Sequence, residues 1–318
     1  MILVAGSANL DFVVRADHIP RPGETVLGYE FKTFPGGKGA NQAVAAARAG
    51  GAPTHMLVAM GSDTFAEPLK ASLKDAGVHL HLIRTLDHPT GTAFICVSSD
   101  AENAITVAPG ANTILAPQHL PSLQGFSHLL MQLETPLDTV TAYAKAARLA
   151  GVAVVLNAAP AQPLPPEVLD SVDILVVNEG ELAIVSACDG TIAECLARIT
   201  VPTVVVTLGH RGCCARHLGT ITLQLAFPVM PVDTTGAGDT FCGTLVATLS
   251  KGHTMEQALR SASAAGALAC TQAGAQSSIP QATEVMRFMG LRSDDETENN
   301  INALAVLRSY CGLHSLQN

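Results

Sequence analysis

The chain has 318 residues, 48% of them hydrophobic and only 14% charged, enough for a large buried core and well inside the globular class. A formal charge of −9 with 18 Lys plus Arg argues against nucleic acid, which needs a clustered basic face to release counterions. No apolar run reaches the roughly 18 residues of a membrane span, and the opening "MILVAGSANLD" lacks a basic leader, so a cytoplasmic address is the expectation.

In chain order, "MILVAG" (1–6) reads as a first buried strand. The segment 11–34 follows as strands joined by Pro, Gly and Asp turns, the pattern of a hairpin. "PGGKGANQAVAAARAGG" (35–51) is a glycine cluster running into a helix from Ala40 to Ala49, and "HMLVAM" (55–60) is the next strand. A second hairpin pattern occupies 91–110. Further strands are expected at 128–133, 152–157, 173–178 and 202–209, with a helix from Thr139 to Ala150. Continuous apolar strands alternating with helices predict a three-layer α/β/α sandwich around a mostly parallel sheet. The two hairpins lie outside that rhythm, either as decorations or as one small β-sheet lid. After residue 290 the composition turns acidic and polar, and 291–318 is expected as a tail outside the catalytic unit, carrying one more amphipathic helix. The eight cysteines show no C-x-x-C pair and no Cys/His metal spacing, so they read as reduced apolar fillers.

The chemistry concentrates in "DTTGAGDTF" (233–241). Gly236 and Gly238 let backbone amides converge on one point as a helix begins at about Asp239, which makes an anion hole. Asp239 is then either a local helix-start acid or a base that takes a proton from an attacking hydroxyl, and the two roles are compatible. The first glycine cluster is not a P-loop, because Lys38 is followed by Gly39 rather than Ser or Thr. "VAGSANLD" is not a dinucleotide fingerprint either. The run Gly36–Gly37–Lys38–Gly39–Ala40–Asn41 suits close approach of backbone, Lys and Asn to a hydroxyl-rich ligand at a helix start.

"GGKGANQAVAAARAGG" and "DTTGAGDTFCGTL", in this order and with "GSANLD", "MQLE", "VVNEGE", "VTLGHRG" and "GAQSSIP", resemble the ribokinase branch of the PfkB carbohydrate kinase family over about residues 1–281. The resemblance implies a nucleotide-dependent kinase of α/β/α fold with a β lid over the sugar, the lid falling on the two hairpins. It implies Asp239 as the base and Gly236, Ala237 and Gly238 as the anion hole. Asn9, Asp11, Gly37, Lys38, Gly39, Asn41 and Glu134 match sugar contacts. Asn178 and Glu181 match residues that position magnesium and phosphates through water, and Thr207, Gly209 and Gly212 match the nucleotide loop. Asp233, Thr235, Ala269, Gln272, Gly274 and Ser278 match a monovalent-cation site, expected to take K⁺. Ser263 stands where relatives place an aromatic or imidazole near the adenine, and nothing in the resemblance accounts for the tail.

Taken singly, Asn9 and Asp11 also read as turn formers, and Asn178 and Glu181 as a plain helix start. The expectation is an ATP- and Mg²⁺-dependent kinase acting on the primary hydroxyl of a pentose, D-ribose above others, and a homodimer joined through lid edges. The rivals are a 2-deoxyribose or nucleoside kinase, and a sugar-binding regulator that has lost catalysis.

Overall fold

A computed structural model describes residues 1–100, 102–290 and 298–313. In chain order the strands are β1 (Ile2–Ala5), β2 (Asn9–Arg15), β3 (Glu30–Gly36), β4 (Thr54–Gly61), β5 (His79–Thr85), β6 (Gly91–Val97), β7 (Asn103–Ala108), β8 (His128–Met131), β9 (Ala153–Asn157), β10 (Ile174–Asn178), β11 (Thr203–Thr207), β12 (Gly212–His217) and β13 (Thr220–Leu225). The helices are α1 (Lys38–Arg48), α2 (Ala66–Asp75), α3 (Leu137–Leu149), α4 (Pro166–Leu169), α5 (Glu179–Ser186), α6 (Ile192–Ala197), α7 (Ala237–Ser250), α8 (Met255–Ala269), α9 (Ala282–Gly290) and α10 (Glu298–Tyr310).

Every apolar run expected as a strand lies in one nine-stranded sheet of order β13-β12-β11-β10-β9-β8-β1-β4-β5. From β5 to β11 the neighbours are parallel, and β12 and β13 extend the edge antiparallel. Alternate residues of each strand feed two cores, one on each face. Ile2, Val4, Met56 and Val58 pack with Val44 of α1, Leu245 of α7 and Leu259 of α8. Leu3, Leu57, Leu129 and Leu156 pack with Tyr143 of α3, Leu196 of α6 and Leu307 of α10. The order reverses beside β1, which continues to β4 on one side while β8 opens the march to the other. In such sheets the crevice at the carboxyl ends of the strands is the natural ligand site.

The two hairpins join as the lid, a second sheet of order β3-β2-β6-β7 in which β2 and β6 run parallel. Register places Asp11, Ala93 and Val107 on one face with Ile95 and Ile105. The other face carries Phe12, stacked on Phe94 at 5.4 Å and edge-on to Phe65 at 5.4 Å, beside the start of α2. Phe94 is 54% exposed there.

The tail's helix, α10, packs on the body. Leu307, Cys311 and Leu313 are buried, Ala193 N donates to the Cys311 carbonyl at 2.9 Å, and the Arg211 guanidinium lies 4.2 Å above the Tyr310 ring. The remaining parts of the expected tail, 291–297 and 314–318, lie outside the described residues. Among the described residues no helix is long and apolar enough to cross a membrane.

Candidate active site

The two glycine clusters meet at the carboxyl ends of β1 and β8. Gly37 has φ 86°, and a Cβ there would fall 2.7 Å from Ala8 Cα and Asn9 N, so only glycine lets the start of α1 lie against the β1–β2 turn. Gly236 caps α7 with φ 73°, and the helix starts at Ala237, two residues earlier than expected. The Gly238 and Asp239 amides, in the first turn, have no intrahelical acceptor and face the helix's positive end.

Asp239 lies in the first turn of α7, as the helix-start reading expects of a dipole partner, while Gly236 rather than Asp239 is the cap. Asp239 Oδ2 accepts from Asn41 Nδ2 at 2.9 Å and its Oδ1 from Gln42 Nε2 at 2.9 Å, both on α1. Those amides are themselves fixed. Gln42 also donates to Asn157 Oδ1 at 2.9 Å and accepts from Gln132 Nε2 at 2.6 Å, while Asn41 Oδ1 accepts from Gln276 Nε2 at 3.1 Å. The carboxylate is buried and oriented, and each oxygen keeps capacity for another donor.

Glu134, just past β8, accepts at Oε2 from Ser7 Oγ at 2.5 Å and from Lys38 N at 3.0 Å. Asn112 donates to Asn9 Oδ1 at 2.8 Å, which pins the start of β2. Asp11 is only 8% exposed, and burial, with the charges of Glu134 and Asp239 added, pushes its carboxyl up to about 7. Lys38 is held above its ordinary value, chiefly by Asp239 with Glu134 and Glu181 in support, against the opposing effect of burial.

Three neighbouring cavities lie along this line. The first, about 730 Å³, is lined by Asn9, Asp11, Gly37, Lys38, Asn41, Glu134 and Asp239 and faced by the lid residues Ala93, Ile95, Ile105 and Val107. The second, about 160 Å³, is lined by Lys38, Asn157, Asn178, Glu181, Thr207, Gly238 and Asp239. The third, about 590 Å³, is largely apolar and lies between the 207–212 turn, Phe227, Phe241 and α8, with Thr207, Gly209, Gly212, Gly238 and Ser263 in its wall. Gly236 and Asp239 belong to both the first and second, and Thr207 and Gly238 to both the second and third. Among the described residues Lys38 is the only Lys or Arg in any of the three walls.

Asn178 and Glu181 realise the plain helix-start reading as well. Glu181 N donates to Asn178 Oδ1 and Asn178 N to Glu181 Oε2, both at 2.8 Å, a reciprocal cap on α5. Burial raises the Glu181 carboxyl, while that cap and Lys38 oppose the shift. At the far side of α7, Asp233 accepts from Thr235 N and Gly274 N, each at 2.9 Å. Burial opposes it, yet those amides hold Asp233 below the usual carboxylate range. Val232 N also donates to the Cys270 carbonyl at 2.7 Å, so the 232–236 turn is tied to the loop carrying Ala269, Gln272, Gly274 and Ser278.

Sequence reasoning missed Ser7, Gln42, Asn112, Gln132, Asn157 and Gln276. Gln42 left a trace, as a second amide beside Asn41 in an otherwise Ala-rich helix. Ser7, Gln132 and Gln276 lie within the quoted stretches "GSANLD", "MQLE" and "GAQSSIP" without being singled out there, and Asn112 and Asn157 are brought in only by folding.

Residues 1–282 match the family described as pfkB family carbohydrate kinase. The chain is 38% identical over 300 residues to the ribokinase of Haemophilus influenzae, covering 91% of this chain and 98% of that one. It is 39% identical over 293 residues to the ribokinase of Bacillus subtilis, with 91% and 99% covered. The structure of Arabidopsis thaliana ribokinase complexed with ribose and ATP superposes with a TM-score of 0.83 at 34% identity, covering 91% of this chain and 98% of that one.

Proposed function

This chain belongs to the pfkB family of carbohydrate kinases, and from that premise we propose that it transfers the γ-phosphoryl group of ATP to the primary hydroxyl of D-ribose, giving ribose 5-phosphate and ADP. The observation that carries this reading is the position of Asp239, an oriented carboxylate in the wall shared by the large cavity under the lid and the small chamber beside the apolar cavity. Ribose sits in the first cavity, the phosphates cross the second, and the adenine lies in the third.

In the reaction the hydroxyl proton passes to Asp239 as the sugar oxygen bonds to phosphorus and the bond to the ADP oxygen breaks. A loose phosphoryl transition state demands orientation more than base strength, which the paired amides of Asn41 and Gln42 supply. Charge developing on the phosphoryl oxygens meets the first amides of α7 and the Lys38 ammonium. Mg²⁺ bound with ATP neutralises phosphate charge; Asn178 and Glu181, oxygen donors in the small chamber's wall, are the residues that would hold its water shell. Asp11, Asn9, Lys38, Asn41 and Glu134 hold the sugar's secondary hydroxyls.

We also take residues 1–290 as the catalytic unit, with the lid at 11–34 and 91–110, and the C-terminal segment as an addition to it. K⁺ at the corner of Asp233, Thr235 and the 269–278 loop would set the geometry of the anion-hole turn without touching substrate; equal activity with Na⁺ in its place would remove it. Use of ATP and eight free cysteines fit a reducing cytoplasm.

The deciding experiment is a panel of pentoses and nucleosides assayed for ATP-dependent phosphorylation, with the product's position read by ³¹P NMR. We expect ribose to exceed 2-deoxyribose in kcat/KM by at least about tenfold, because a buried carboxylate loses one charged hydrogen bond with the deoxy sugar. Equal or better use of 2-deoxyribose transfers the assignment to the deoxy rival. Binding of sugar without any turnover favours the regulator.

A further inference from the structure

The large sheet carries a second constellation at the opposite ends of its strands. β4 and β5 pair in parallel with His55 opposite His79, so the two imidazoles leave the sheet on the same face. His81, two residues along β5, shares that face by the period of two. The rings of His55 and His79 are 4.5 Å apart, and His81 lies 5.3 Å from each. Phe126 closes one side, edge-on to His55 at 5.0 Å, while His79 is exposed.

One ligand nitrogen from each histidine lies within 4.8 Å of the others, and His55 Nδ1 and His81 Nε2 are 3.0 Å apart. A tetrahedral ion with metal–nitrogen bonds of about 2.0–2.1 Å spaces its ligands about 3.3 Å apart, close to the present separation of His55 Nδ1 and His81 Nε2. We propose that His55, His79 and His81 form a three-imidazole site for a divalent transition-metal ion of the zinc type, with the fourth position open to water on the exposed His79 side. Imidazole nitrogen suits zinc, nickel and copper rather than the Mg²⁺ of the kinase chemistry. Burial and the neighbouring imidazoles also hold His55 and His81 below the usual imidazole range, and the ligating ring is the neutral one. The Met1 amino group is the remaining charge acting on His55.

Six strand steps separate His55 from the carboxyl end of β4, about 20 Å at 3.3 Å per residue, so the ion takes no part in phosphoryl transfer. Its effect is to clip the edge strand β5 to β4.

The test titrates Zn²⁺ into the full chain without nucleotide, by calorimetry and thermal unfolding, with Co²⁺ as a visible-absorption probe of tetrahedral nitrogen ligation. We expect one equivalent bound more tightly than about 10 µM, a rise in Tm, and reversal of both by a chelator. His79→Ala, at an exposed position, and His81→Gln should each weaken binding at least about tenfold, with folding checked by circular dichroism. His128→Ala, outside the cluster, should leave it unchanged. Absence of uptake at about tenfold excess over that limit, or an affinity in both cluster variants equal to the wild type's, overturns the site.

Discussion

Two carboxylates define the residue scale. Asp239→Asn keeps the shape and removes the proton acceptor, so we expect kcat to fall by about 10²–10⁴ while calorimetry still detects ribose and ATP. Activity within tenfold of the wild type would take Asp239 out of the mechanism. Asp11 makes a pH prediction. Its folded value of about 7 lies above its ordinary value of 3.8, so between these limits the folded chain holds a proton that the unfolded chain releases. Stability from this group is therefore present at low pH and falls as pH rises through 7, by at most about 1.4 kcal/mol per pH unit, then levels off. Asp11→Asn removes this slope. In thermal unfolding without ligand the variant's Tm should exceed the wild type's at pH 8, with the gap closing toward pH 5. The same substitution should lower ribose kcat/KM, because the charge that strains the empty site is the acceptor for the sugar hydroxyls. A gap independent of pH would remove Asp11 as its source.

At the scale of elements, α10 is where composition and packing part company. Acidic, polar surroundings mark the segment as peripheral, yet Leu307, Cys311 and Leu313 fill one of the two cores and Tyr310 lies under Arg211 of the 207–212 turn. Leu307→Ala should cost about 2–5 kcal/mol in denaturant unfolding, the range for a large apolar side chain deleted from a packed core. A cost under about 0.5 kcal/mol, typical of a surface change, would return α10 to the periphery. The lid, by contrast, was legible as an element. Its strand-like runs and turn residues marked two hairpins outside the sandwich, and folding added the parallel pairing of β2 with β6 that merges them. That pairing joins residues far apart in the chain, which no local pattern encodes.

On the scale of the whole molecule, the lid leaves β3 and β7 as open edges and exposes Phe31 (62%) and Phe94 (54%) on its outer face. Proteins cover such edges, so we expect a homodimer in which two lids pair, read by light scattering at micromolar concentration. Phe94→Lys should shift it toward monomer, and a monomeric wild type would refute the pairing. By itself the sequence determined the three-layer sandwich, because Val-, Ile- and Leu-rich runs alternating with Ala-rich helices can satisfy their backbone and bury both faces in few other ways. It also marked Asp239 and the two glycine clusters, since backbone angles open only to glycine leave a signature in the residues themselves. Only the tertiary structure decided what surrounds them. The amides of Asn41 and Gln42 on Asp239, the Ser7 hydroxyl on Glu134, and the adjacency of three cavities depend on strand order, which places residues over a hundred positions apart within hydrogen-bond distance. The three histidines belong there too: His79 and His81 are a local pair two residues apart on one strand, and His55 joins them only because parallel register sets it beside His79.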